Sequence, residues 1–119
     1  MIFSDRLAEI CNRVDGAVAA TLVDRDGITV DSHMSNGSID LEALAAELLA
    51  QTQTIARDQR ELEMGELRQL SVTTDKYTVL VGSLVDDYSL LLVLRSDGSF
   101  GRARYELRRA LLQFESDLI

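Results

Sequence analysis

The sequence predicts an α+β fold, a five-stranded antiparallel sheet flanked by helices on both faces. Three observations lead there. The hydrophobic period switches along the chain in the order α-β-β-α-β-β-β-α. Within each run, the predicted strands are joined by connections so short that only antiparallel neighbours fit them. The last predicted strand, Leu90 to Leu94, is apolar on both faces, as a strand is when it lies mid-sheet under cover on both sides. Strand order does not follow from periodicity.

Residues 3–14 read as a helix, with Phe3, Leu7, Ile10, Cys11 and Val14 on one stripe, Ser4 available to cap and Gly16 as the break. Residues 17–24 and 28–32 read as a hairpin around Arg25-Asp26-Gly27, and His33 to Ser38 as a loop. Residues 40–62 give the longest helical pattern, capped by Ser38 or Asp40 and stopped near Gly65. Its expected buried stripe is Leu41, Leu44, Ala45, Leu48, Thr52, Ile55, Ala56 and Leu62. Strands follow at 66–74, 77–85 and 88–95, turning at Asp75-Lys76 and Asp86-Asp87. A helix from about Ser99 to Leu118 closes the chain, with Phe100, Ala103, Leu107, Leu111, Phe114 and Leu118 expected inward.

Composition narrows the function. The 119 residues, 46% of them apolar, suit one domain over 1–119 with a real core. No apolar run approaches the ~20 residues of a membrane span, and the N-terminus has acids where a secretory signal has bases. With the lone Cys11 this leads us to expect a cytoplasmic protein. A formal net charge of −8 disfavours nucleic acid and anionic membranes as partners, and no membrane insertion is expected.

The candidate chemistry is sparse. His33 has no partner near it in sequence, and Cys11 lies on an apolar stripe. One Cys and one His do not make a zinc site. Asp24-Arg25-Asp26-Gly27 lacks the further acids of a calcium loop and reads as a hairpin turn. Gly98-Ser99-Phe100-Gly101-Arg102 opens a helix, but neither GxxxxGK[ST] nor GxGxxG occurs. We expect no catalytic, cofactor or metal site.

Two helix faces are more informative. Opposite the buried stripe of the second helix stand Ala43, Ala46, Ala50, Gln53, Thr54 and Arg57, small and nearly uncharged where a free surface helix carries charge. Such residues let another helix approach closely. On the last helix, Tyr105 and Leu112 lie off the buried stripe with Arg102, Arg108 and Arg109 around them, a secondary interface candidate. The competing readings are alanine chosen for helix propensity, and scattered exposed residues paired with Glu106 or Glu115.

LVDRDGITVDS (22–32), ELRQLSV (66–72), VLVGSL (79–84) and SLLLVLRSDGSFGRARYELRRA (89–110) together resemble the Roadblock family of dynein light chains and prokaryotic GTPase regulators. The match covers nearly the whole chain and lies in joint order and spacing, not in one motif. Within that family the chain looks most like the bacterial MglB-type proteins, which regulate a Ras-like GTPase in motility and polarity. The resemblance implies a Roadblock/profilin-like sheet with the first hairpin at one edge, the 66–74 strand at the other and the last strand central. It implies a homodimer paired through that edge strand, where Arg68, Leu70 and Val72 lie, and through the second helix. Nothing in the strand guards the edge, since it has no proline or bulge signal. It further implies a small Ras-like GTPase as partner, bound in its GTP form, on a platform of paired helices rather than through Arg57 or Arg60 as an arginine finger. The alternatives are an adaptor without effect on the GTPase and, from another class, a small-ligand sensor with a deep apolar pocket.

Overall fold

The chain runs α1 (Ile2–Arg13), β1 (Ala17–Val23), β2 (Thr29–Met34), α2 (Leu41–Glu61), β3 (Gln69–Thr73), β4 (Tyr77–Ser83), β5 (Ser89–Arg95) and α3 (Phe100–Leu118). The computed structural model describes residues 2–35 and 38–118, the side chains of Ile2 and Leu118 excepted. The strands form one antiparallel sheet in the order β2-β1-β5-β4-β3. Both edges and the centre therefore lie where the resemblance implies, with β5 between β1 and β4.

The pleat of β5 divides the interior in two. Leu90, Leu92 and Leu94 face a core shared with Leu7, Ile10 and Val14 of the α1 region and with Ala103, Leu107 and Phe114 of α3. Leu91 and Val93 face a second core with Leu41, Ala45 and Leu48 of α2. Phe3 and Phe114 stack across the α1–α3 seam at 5.6 Å. Pairing between β1 and β5 slips between Ala17 and Ala19, which makes Val18 the extra residue of a bulge. That is why Val18 and Ala19, adjacent in sequence, both join the α2-side core.

At one end of the sheet the turn after α1 meets the turn after β5. Gly16 has φ +87, and a Cβ there would lie 2.6 Å from the Gly98 Cα. Only a residue without a side chain fits, because the contact is backbone to backbone.

Several boundaries differ from expectation. β2 runs through His33 and Met34, so the loop expected from His33 is shorter; Asn36 and Gly37 of that loop lie outside the described residues. Cross-strand pairing explains the extension, since Ala20 pairs with His33 and Ala19 with Met34. Ser4 stands inside the first turn of α1, not ahead of it. β3 is confined to Gln69–Thr73, and the expected turn at Asp86-Asp87 is a 3-10 turn over Val85–Asp87. Leu62 is 69% exposed and Phe100 40% exposed, where both were expected inside. Leu62 falls beyond the last helical turn of α2 and Phe100 opens the first turn of α3, so neither repeat carries its side chain inward. Leu49, absent from the expected stripe of α2, is buried. Leu118, expected on the α3 stripe, lies outside the described side chains.

Candidate partner-binding surface

α2 starts cleanly. Asp40 Oδ1 accepts the Ala43 N–H at 3.1 Å, satisfying one of the orphan donors of the first turn. Leu41, Ala45, Leu48, Leu49 and Thr52 are then buried, and the Thr52 hydroxyl donates to the Leu48 carbonyl at 2.6 Å. The opposite face is open. Ala43, Ala46, Ala50, Gln53, Thr54 and Arg57 are all exposed. Two polar groups on it are already engaged: Thr54 Oγ1 donates to the Ala50 carbonyl at 3.2 Å, and Gln53 Nε2 to the Arg25 carbonyl at 2.8 Å. Gln53 therefore pins the β1–β2 turn to α2. That turn is self-braced, since Asp24 Oδ1 accepts the Asp26 and Ile28 N–H groups at 2.9 and 3.0 Å.

β3 pairs only with β4, so its outer backbone edge has no partner strand among the described residues. Leu70 is half-buried against the α2-side core, while Val72 is 37% exposed and Ser71 and Thr73 are exposed. Arg68 lies just ahead of the strand, exposed, with its carbonyl accepting from Ser83 N–H at 3.0 Å.

Between α2 and β3 the chain exposes Leu62, expected inward, and Met64, to which the sequence reading gave no role. Leu62 and Met64 are 69% and 73% exposed, among Glu61, Glu63 and Glu66. The signal was present: in Glu61-Leu62-Glu63-Met64 apolar and acidic residues alternate, a period of two that breaks the helical repeat.

Beside the second half of α2 lies an open groove of about 480 Å³. Thr52, Gln53, Ala56 and Arg57 form its helix wall, and Leu84, Asp87 and Tyr88 its sheet wall. Its lip is strained, because Asp86 and Asp87 take left-handed φ values of 55 and 63. Asp87 is held by Arg25 at 3.2 Å, and Arg60 by Glu66 at 3.5 Å. The groove is mixed in polarity, unlike the deep apolar pocket a sensor requires. Between α1 and α3 there is a cavity of about 10 Å³, room for one water at most.

On α3, Tyr105 and Leu112 are 60% and 71% exposed. Arg102 and Arg109 pair with Glu106, 3% exposed, at 3.4 and 3.3 Å, and Arg102 also lies over the Tyr105 ring; Arg13 reaches the same carboxylate at 4.0 Å. Arg109 is thus committed to the α1–α3 seam.

The reactive side chains are dispersed. Burial pushes the Cys11 thiol up to about 11, which keeps it protonated. His33 sits half-buried on the β2 edge strand. Among the described residues no group of three or more His, Cys, Asp and Glu side chains is placed to hold a metal ion, and no helix is long and apolar enough to cross a membrane.

No family model matches the chain, and no curated protein matches it. Solved structures do. MglC from Myxococcus xanthus is 32% identical over 98% of this chain and 99% of that one, with a TM-score of 0.74. A Roadblock/LC7 domain from Streptomyces avermitilis is 17% identical over 97% of this chain and 96% of that one, with a TM-score of 0.86. The gliding protein MglB from Thermus thermophilus is 17% identical over 94% of this chain and 84% of that one, with a TM-score of 0.84. The last two show likeness of fold; the first is a likeness of sequence along the whole chain.

Proposed function

The chain belongs to the Roadblock family, and from that premise we propose that it is a homodimeric regulator of a small Ras-like GTPase, binding the GTP form and stimulating its hydrolysis. The observation that carries the reading is the outward face of α2. Ala43, Ala46 and Ala50 expose almost nothing but backbone and methyl groups, and the sheet that α2 covers has at β3 an edge with no partner strand among the described residues. A second copy set against α2 and β3 covers both features. Two α2 helices then form one platform across a two-fold axis. Arg57 and the groove beside it flank that platform. The module is non-catalytic: it acts by holding the partner's switch segments, which the γ-phosphate orders. Arg60, tied to Glu66 at 3.5 Å, is poorly placed to serve as an arginine finger. We place its work in the cytoplasm, in motility or polarity; the Thermus MglB, alike in fold, is named a gliding protein.

The test is phosphate release by a candidate small Ras-like GTPase from the same genome, with and without the protein, together with affinities for its GDP and GTP forms. Faster hydrolysis and tighter binding of the GTP form are expected, because a regulator that binds both states equally shifts nothing. Arg57→Ala weakens binding and leaves the fold intact. Equal affinities leave the adaptor reading.

A further inference from the structure

The outward face of α3 lies across the sheet from α2 and is independent of the reading above. It has a definite pattern. Tyr105 and Leu112 are seven residues apart, two helical turns or about 10 Å along the axis, and point directly opposite the buried Ala103, Ala110 and Phe114. That spacing is the repeat with which one helix presents successive knobs to another. Arginines frame the strip. Arg102 and Arg109 are spent on Glu106, and Arg102 also lies 5.6 Å from the Tyr105 ring. Arg104 and Arg108 are exposed and have no acidic partner among the described residues; Arg104 touches only the Phe100 ring, at 5.9 Å. In a chain of net charge −8 this is a local reversal of sign.

We propose that this face docks an amphipathic helix of a partner protein whose apolar stripe is flanked by glutamate or aspartate. Tyr105 and Leu112 supply the apolar contact, and Arg104 and Arg108 supply the charge and the register. A second copy of α3 matches this strip less well than an acidic helix does, because against Arg104 and Arg108 it offers one exposed acid on that side, Glu115. An anionic membrane is disfavoured as well. The apolar strip is only two side chains deep, and the acidic body of the protein, with Glu115 at the end of the same face, opposes a uniformly negative surface.

The probe is a three-heptad synthetic peptide with leucine at a and d and glutamate at e and g; its own glutamates keep it from pairing with itself. Titrated into the ¹⁵N-labelled full chain, it is expected to shift amides within 101–116. The double substitution Arg104→Glu with Arg108→Glu weakens binding by about tenfold or more at low salt. The same peptide with lysine for glutamate then binds the reversed chain in preference to the original. Leu112→Ala, at a side chain 71% exposed, is the second variant; it weakens the peptide without changing the melting temperature. Four results overturn the proposal. The amide shifts fall on α2 or β3; a scrambled peptide of the same composition binds equally; the chain pellets with phosphatidylserine vesicles at a salt concentration where it ignores the peptide; or the double reversal abolishes a self-association of the wild-type chain.

Discussion

β5 and β3 lie two places apart in the same sheet and do opposite work. From Ser89 to Leu94 every side chain of β5 is buried, whereas β3 has no buried residue and ends in three exposed ones. β5 has a strand on each side and a helical layer on each face. β3 has one strand neighbour, and only Leu70 reaches a core. β5 therefore gives the protomer far more buried side-chain surface than β3 does, and β3 keeps an open edge where the proposed dimer would pair. The far edge sharpens the point. β2 is also an edge, but α1 lies alongside it, its pairing slips between Leu22 and Val23, and its turn is fastened to α2 through Gln53. Bulges and fastenings blunt an edge against pairing. β3 has neither.

The steepest loss of stability is expected from β5 itself. Leu92 is fully buried in the α1/α3 core, and Leu92→Ala leaves a cavity among Leu7, Leu107 and Phe114. The expected loss of stability is about 3–4 kcal/mol, the transfer and cavity costs together. Urea unfolding checks it; a cost below about 1 kcal/mol would mean that β5 is not the anchor of the fold.

The second effect compares the edges directly, because Val30 on β2 and Val72 on β3 are each 37% exposed. Val72→Lys is expected to raise the dimer dissociation constant about 100-fold, or about 2.7 kcal/mol, and Val30→Lys to leave it within about threefold. Each changes the protomer's own stability by no more than about 0.5 kcal/mol, as surface substitutions do. Ala50→Glu, which sets a charge in the helix contact, is expected to match Val72→Lys. Sedimentation equilibrium distinguishes these outcomes. Equal effects at the two edges would remove the distinction between them, and with it the proposed route to the dimer.

Much of this contrast was legible in the sequence, for a physical reason. The two-sided apolar run from Leu90 to Leu94 requires an interior place in a sheet covered on both faces, and the polar alternation of Gln69, Ser71 and Thr73 suits an edge. The small residues at 43, 46 and 50 fell on one helix face by spacing alone. What was not legible depends on contacts between distant segments. Gln53 looked like a free surface group until the β1–β2 turn came to rest on α2. Arg109 looked like a partner to Tyr105 until Glu106 was seen to be buried between the helices, drawing arginines from both. Leu49 required the turn at Gly27 to cover it, since a Cβ on Gly27 would lie 3.4 Å from the Leu49 side chain. Periodicity reads one element at a time and does not see such contacts.

The smallest effect concerns the link that carries α2 into β3. The helix ends in a Schellman arrangement: Met64 N–H donates to the Gln59 carbonyl at 2.8 Å and Glu63 N–H to the Arg60 carbonyl at 3.1 Å. The arrangement requires a left-handed residue, and Glu63 supplies it at φ 60, where glycine is the usual choice. A side chain in that conformation is strained, and a carboxylate at a helix C-terminus opposes the dipole. Glu63→Gly removes both penalties, partly offset by the greater freedom of glycine in the unfolded chain, and is expected to stabilise the protein by about 0.5–1 kcal/mol. Glu63→Ala separates the two, since it discards the charge and keeps the backbone strain; it is expected to give less than half the gain. Thermal unfolding reads both. The comparison between β5 and β3 adds a second readout. If the link only connects, Glu63→Gly raises the melting temperature and leaves the dimer constant unchanged. A weakened dimer in the more stable variant would assign Glu63 itself, beside the exposed Leu62 and Met64, to the surface that associates.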